Sequence, residues 1–182
     1  ARIPVPGWEA LLAGNERAAA ALDRLEGPAV TNPTGSGVPA TAGAYVYAAA
    51  LSLAGLPGVD ADRISIGGAS AGGGLTAALA FLARDRAEVT PVLQVLSYPM
   101  LDDRSVGRHL DDTGHRLWNA TSNRFGWQSY LGAADPEVAV PARRTDLAGL
   151  PPAWLGVGTL DLFHDEDLEY ARRLQSAGVP CE

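Results

Sequence analysis

The sequence predicts an α/β fold, a mostly parallel sheet whose strands are joined by crossover helices. Three observations carry it. From residue 63 onward, short apolar runs alternate with longer stretches of helical periodicity. A glycine-rich turn, GGASAGGG (67–74), joins one such run directly to an alanine-rich helical segment. Composition is that of a packed globular chain, with 47% hydrophobic and 19% charged residues in 182.

In chain order, residues 8–25 place Trp8, Leu11, Leu12, Ala18, Ala19, Leu22 and Leu25 at helical spacing, bent near Gly14 and Asn15. Residues 26–43 are rich in Pro, Gly, Ser and Thr and read as a loop. Residues 44–55 read as a helix, stopped by Gly55 and Pro57. RISIG (63–67) is a short strand. Residues 71–84 form a helix with Leu75, Ala78, Leu79 and Leu82 on one face. PVLQVLSYP (91–99) is a buried strand, followed by a polar loop to Arg116 and a short helix at 122–132. AWLGVGT (153–159) is a third strand. Residues 165–178 form a helix with an acidic first turn, which complements the helix dipole, and Gly178 ends it. VPCE then begins a fourth strand.

Charge and cysteine content narrow the function classes. Net charge is −7, there is no basic run, and all fourteen basic residues are Arg, so nucleic acid and anionic membrane are poor partners. No apolar run reaches the length of a membrane span. Cys181 is the single cysteine, which excludes an internal disulfide and suits a reducing, cytoplasmic compartment. The chain starts without Met or a signal-peptide pattern and stops at the start of a strand. Both ends are expected to be cut rather than finished.

Gly68-Ala69-Ser70-Ala71-Gly72 matches G-x-S-x-G in the strand–turn–helix context that motif requires. A sharp turn of this kind strains the serine backbone and lifts its hydroxyl above the sheet. Neighbours two positions away must then be small, and Gly68 and Gly72 meet that need. The backbone N–H of Ala71, at a helix N-terminus, is the candidate oxyanion donor. Rival readings are weaker. A phosphate P-loop needs a Lys that the chain lacks. Residues 72–77 fit a relaxed G-x-G-x-x-A dinucleotide pattern, but inside a helix and with no acidic residue closing the next strand.

GGASAGGG, SYPMLDDR, SNRFGWQSYLG and the segment from Pro151 to Glu182 together resemble the hormone-sensitive-lipase-like esterases of the α/β-hydrolase fold, over roughly residues 40–182. Ala69 stands where that family commonly has Asp, at the variable position of the turn. The resemblance implies carboxylic-ester hydrolysis through an acyl-enzyme on Ser70. It also implies a partial core over residues 37–182, preceded by a cap-like helical segment over 1–36.

A serine nucleophile needs a histidine base, and the histidine needs a carboxylate; in this fold they follow in the order Ser, Asp or Glu, His. Asp161, just past the third strand, is the expected acid, and the resemblance implies the same residue. Asp165 is the runner-up, with helix capping as its plainer role. Glu166 and Asp167 read as first-turn dipole charges. His109 and His115 precede the acid, out of order. His164 is in order but three residues from Asp161, too close to serve both partners. The family's histidine follows the strand that begins at VPCE, and its second oxyanion donor comes from an HGGG-type loop. Neither is present in this sequence, and the early strands are expected to be missing. The chain alone is therefore expected to be nearly inactive.

Tyr98, Met100, Trp118, Phe125, Trp127 and Tyr130 cluster after the second strand. Met100 and Trp127 are the pocket candidates for a short-chain or aryl ester; Phe125 and Tyr130 read as core. No metal or cofactor is implied. The alternative is a non-catalytic fragment that binds small apolar ligands or a partner. Oligomeric state is not readable.

Overall fold

The computed structural model describes residues 38–107, 115 and 117–182. The helix expected at 8–25, the segment 1–36 and His109 lie outside the described residues. Helix α1 spans Val38–Ala54, beginning six residues before the expected 44. Pro39 sits in its first turn, where a missing N–H costs nothing because no intrahelical acceptor exists. Strand β1 (Ser65–Ala69) leads into helix α2 (Ala71–Arg86), and β2 (Leu93–Ser97) follows. Helix α3 (Ala120–Leu131), a single turn α4 (Pro136–Ala139), β3 (Ala153–Gly156) and helix α5 (His164–Ser176) complete the order.

The strands pair in the order β1-β2-β3, all parallel, with Ser65 opposite Leu93 and Gln94 opposite Ala153. VPCE does extend the sheet. Cys181 bridges Ala153 in parallel, and the Leu155 amide donates to the Glu182 carbonyl at 2.8 Å. Parallel strands put every carboxyl end on one edge. The turns after β1 and β3 therefore open on the same side. No described helix is long and apolar enough to cross a membrane.

The core joins α1 (Tyr47, Leu51), Ile64 just before β1, Ile66 in β1, α2 (Ala77, Ala80, Phe81), Leu96 and α5 (Tyr170, Leu174). Of the four residues expected on the buried face of α2, only Leu79 is buried; Leu75, Ala78 and Leu82 are half-buried. The core-facing stripe is instead mostly small, from Gly73 and Gly74 through Ala77, Ala80 and Ala83. Small side chains let the helix axis lie close against the sheet. Helix α5 ends in a Schellman motif. The Gly178 amide donates to the Gln175 carbonyl and the Val179 amide to the Leu174 carbonyl, each at 3.0 Å, with Gly178 at φ +79°.

Candidate active site

β1 runs through Gly68 and Ala69, two residues beyond its expected end, and delivers Ser70 directly to the start of α2. Ser70 adopts φ 56°, ψ −125°, a conformation that side-chain-bearing residues rarely take. Three backbone hydrogen bonds hold it there. Its amide donates to the Ser97 carbonyl at 3.0 Å, and its carbonyl accepts from the amides of Gly74 (3.1 Å) and Met100 (3.0 Å). The hydroxyl makes no capping bond to the helix. Ala71 is the first helical residue, so its N–H has no intrahelical acceptor.

The glycines divide into those the turn requires and one it does not. A Cβ on Gly68 would lie 2.3 Å from the Gly72 carbonyl oxygen. One on Gly73 would meet the Pro99 Cβ at 2.8 Å, and one on Gly74 the Met100 carbonyl oxygen at 2.2 Å. Gly72 has nothing within 4 Å among the described residues. The steric expectation thus holds for Gly68 and fails for Gly72. The Gly72 backbone, rather than its missing side chain, is what crowds the turn. Gly73 and Gly74 went unassigned from sequence, although the unbroken run of three glycines was their signal.

A pocket of about 210 Å³ adjoins this turn, lined by Ser70, Ala71, Leu75, Met100, Trp118 and Trp127, with Gly74, Gly126, Tyr130 and Pro141 completing it. Met100 and Trp127 are buried in a small cluster with Val140, Leu162 and Phe163. Trp127 meets Tyr130 edge to face, with ring centroids 5.7 Å apart. Tyr130, expected as core, packs on that cluster and also lines the pocket. Its hydroxyl donates to the Ala139 carbonyl at 3.3 Å, and burial pushes the phenol up to about 12. Phe125 is 70% exposed and is not core. Tyr98, at the end of β2, is also strained, at φ 35°.

Asp161 lies past β3, with residues 157–160 between, and is half-buried. Its carboxylate accepts from the Phe163 amide at 2.9 Å, and its carbonyl accepts from the His164 amide at 3.2 Å. The His164 ring is turned to Asp165, with Nδ1 2.9 Å from the carboxylate. Asp165 does not cap α5. The helix starts at His164, the cap position is Phe163, and the Asp165 side chain is 80% exposed.

Glu166 and Asp167 are not solvated first-turn charges; both are buried. Glu166 accepts from the amides of Leu101 (2.8 Å) and Asp102 (3.1 Å). Burial pushes its carboxyl up to about 7, against the hydrogen bonds from the Leu101 and Asp102 amides that lower it. Among the described residues Asp167 has no hydrogen-bond partner on either oxygen. Burial first, then the neighbouring Glu166 and Asp161 charges, push it up to about 9. Among the described residues no cluster of His, Cys, Asp and Glu could hold a metal ion.

A family model described as alpha/beta hydrolase fold matches residues 36–182. The chain belongs to that family. It is 38% identical over 139 residues to the carboxylic ester hydrolase LipN of Mycobacterium tuberculosis, covering 70% of this chain and 35% of the relative. It is 34% identical over 130 residues to the esterase LipI of the same organism, covering 69% and 41%. Among solved structures, a bacterial heroin esterase superposes with a TM-score of 0.72 at 39% identity, covering 82% of this chain and 50% of the other. Thus the chain spans about two fifths or less of these two relatives and half of that structure. The resemblance to α/β-hydrolase esterases read from the turn and the acidic segment is borne out at the level of family and fold.

Proposed function

We propose that this chain carries the nucleophile and acid of a serine carboxylic-ester hydrolase. One observation carries the reading. Ser70 is held in a strained turn at a helix N-terminus, its hydroxyl uncommitted to capping, beside an apolar pocket. Relatives named esterases and carboxylic ester hydrolases support it.

In this reading Ser70 Oγ attacks the ester carbonyl carbon and gives its proton to a histidine base. The oxyanion that forms accepts a hydrogen bond from the Ala71 N–H, whose helix dipole favours negative charge. Collapse expels the alcohol, which takes the proton from the histidine. Water, deprotonated by the same base, then releases the acid and restores Ser70. Asp161 holds the histidine tautomer and stabilises its cation. His164 is not assigned as the base, because its ring is engaged by Asp165. The pocket favours small apolar or aryl esters. With one cysteine in the sequence, the proposed location is the cytoplasm.

Labelling by a fluorophosphonate probe tests the assignment. The adduct is expected on Ser70 and absent in Ser70→Ala; labelling that survives the substitution would remove Ser70 from its role.

A further inference from the structure

The loop after β2 reaches both turns of the candidate site. It opens at Tyr98, strained at φ 35°, whose amide donates to the Gly156 carbonyl of β3 at 2.7 Å. Pro99 then lies on Gly73: a Cβ there would be 2.8 Å from the Pro99 Cβ and 2.9 Å from its Cα. The Met100 carbonyl lies against Gly74 in the same way. Residues 98–102 thus form a strap pressed onto the first turn of α2.

This strap holds the serine. The Met100 amide donates to the Ser70 carbonyl at 3.0 Å. A side-chain-bearing residue at φ 56° stores strain, and it persists only while its surroundings hold it. The next two amides of the strap, those of Leu101 and Asp102, both donate to one oxygen, Glu166 Oε1, at 2.8 and 3.1 Å. Leu101 is fully buried, and Asp102 and Glu166 are nearly so. Three consecutive amides therefore divide between the Ser70 carbonyl and one carboxylate. Glu166 belongs to the first turn of α5, the helix entered through the Asp161 turn. Phe163 joins the two: its amide donates to the Asp161 carboxylate and its carbonyl accepts from the Asp167 amide, each at 2.9 Å.

We propose that Glu166 is a positioning residue for the reaction at Ser70: its carboxylate clamps the strap to α5, and the strap holds Ser70 in its strained, reactive pose. The clamp rests on the ester reading of Ser70 and adds to it a second carboxylate, one that acts through the strap rather than on the reacting atoms. Without that acceptor, two buried amides must shift to find another. The Met100 amide is their neighbour in the chain and moves with them. The Ser70 carbonyl then keeps only its bond from the Gly74 amide, and the turn can relax. A displacement of about 1 Å at a reacting group costs about a hundredfold in rate.

The test follows phosphonylation of Ser70 by a fluorophosphonate probe at a fixed imidazole concentration. It separates the maximal rate, kinact, from the probe concentration at half that rate, KI. Urea denaturation gives the folded fraction of each variant. Glu166→Ala should lower kinact about tenfold or more, with KI within about twofold. Glu166→Gln keeps an acceptor oxygen and should stay within about threefold of the parent. Glu166→Asp keeps a carboxylate but draws it back by one bond, about 1.5 Å. It should lose about fivefold or more, and it carries the test where the alanine variant does not fold. Leu174→Ala truncates the core face of the same helix without touching the strap and should leave kinact of the folded chain unchanged. A folded alanine or aspartate variant with the parent's kinact would overturn the clamp. So would an equal fall in Leu174→Ala, which would trace the loss to stability. In both cases labelling of Ser70 in the parent leaves the ester reading intact. An unsubstituted chain that is not labelled at Ser70 would overturn that reading, and the clamp with it.

Discussion

The serine turn and the acidic turn stand at the carboxyl ends of β1 and β3, on one edge of the same sheet. In sequence each is a cluster of one kind: five glycines around Ser70, and four acids between Asp161 and Asp167. In the fold, members of each cluster have different jobs. Gly68, Gly73 and Gly74 face backbone or ring at distances no Cβ tolerates, while Gly72 faces open space. Asp165 is exposed, Asp161 half-buried, and Glu166 and Asp167 buried. A cluster in sequence marks a place; only packing separates the residues that hold it from those that decorate it.

The sharpest contrast lies within the glycines. Gly68→Ala should lose about 3 kcal/mol or more, since its methyl meets backbone that cannot swing aside. Gly72→Ala should lie within about 0.5 kcal/mol of the parent, or gain that much, because alanine favours a helix. Urea denaturation of the two variants measures both. Similar losses in the two would remove the asymmetry.

The acids should split next. Glu166→Ala leaves the buried amides of Leu101 and Asp102 without an acceptor and should cost about 2–4 kcal/mol. Glu166→Gln keeps an acceptor oxygen and should cost under about 1 kcal/mol. Equal losses would mean that the charge, rather than the two hydrogen bonds, ties the loop to α5.

Asp167 should behave in the opposite sense. A carboxyl raised in the folded state gives stability that is complete below its unfolded value and is lost as pH rises towards the folded one. Stability should therefore fall from about pH 4 through about pH 9, where Asp167 titrates when folded. Glu166 adds to the fall up to about pH 7. Asp167→Leu should flatten the curve above pH 7 and stabilise the chain there by about 1–3 kcal/mol, because an unpartnered buried acid is removed. Thermal denaturation across pH 4–9 checks it. A curve as steep in the variant as in the parent would count against burial as the cause. The smallest effect is expected at Asp165→Asn, under about 0.5 kcal/mol, since the exposed pair with His164 is screened by solvent.

The parallel sheet, its crossover helices and the strained serine were legible because each depends on local pattern. An apolar run, a helical period and a small-residue turn are all written within about ten residues. The buried face of α2 was misread because small residues carry weak hydrophobic signal, yet close helix–sheet packing selects them. Glu166 was misread because its partners, the amides of Leu101 and Asp102, lie 65 and 64 residues away. Backbone donors leave no mark in a sequence. Phe125 was misread for a related reason: its exposure, 70%, depends on which way α3 is rotated, and that is decided by packing rather than by local pattern.

The central claim is that Ser70 is an acyl-accepting nucleophile. Its most direct test is incubation of the chain with p-nitrophenyl butyrate, with imidazole added as a base from solution, followed by mass spectrometry of the digested protein. The account predicts a butyryl adduct on the peptide carrying Ser70, and no adduct there in Ser70→Ala. An unmodified Ser70, with p-nitrophenol released equally by both proteins, would contradict it.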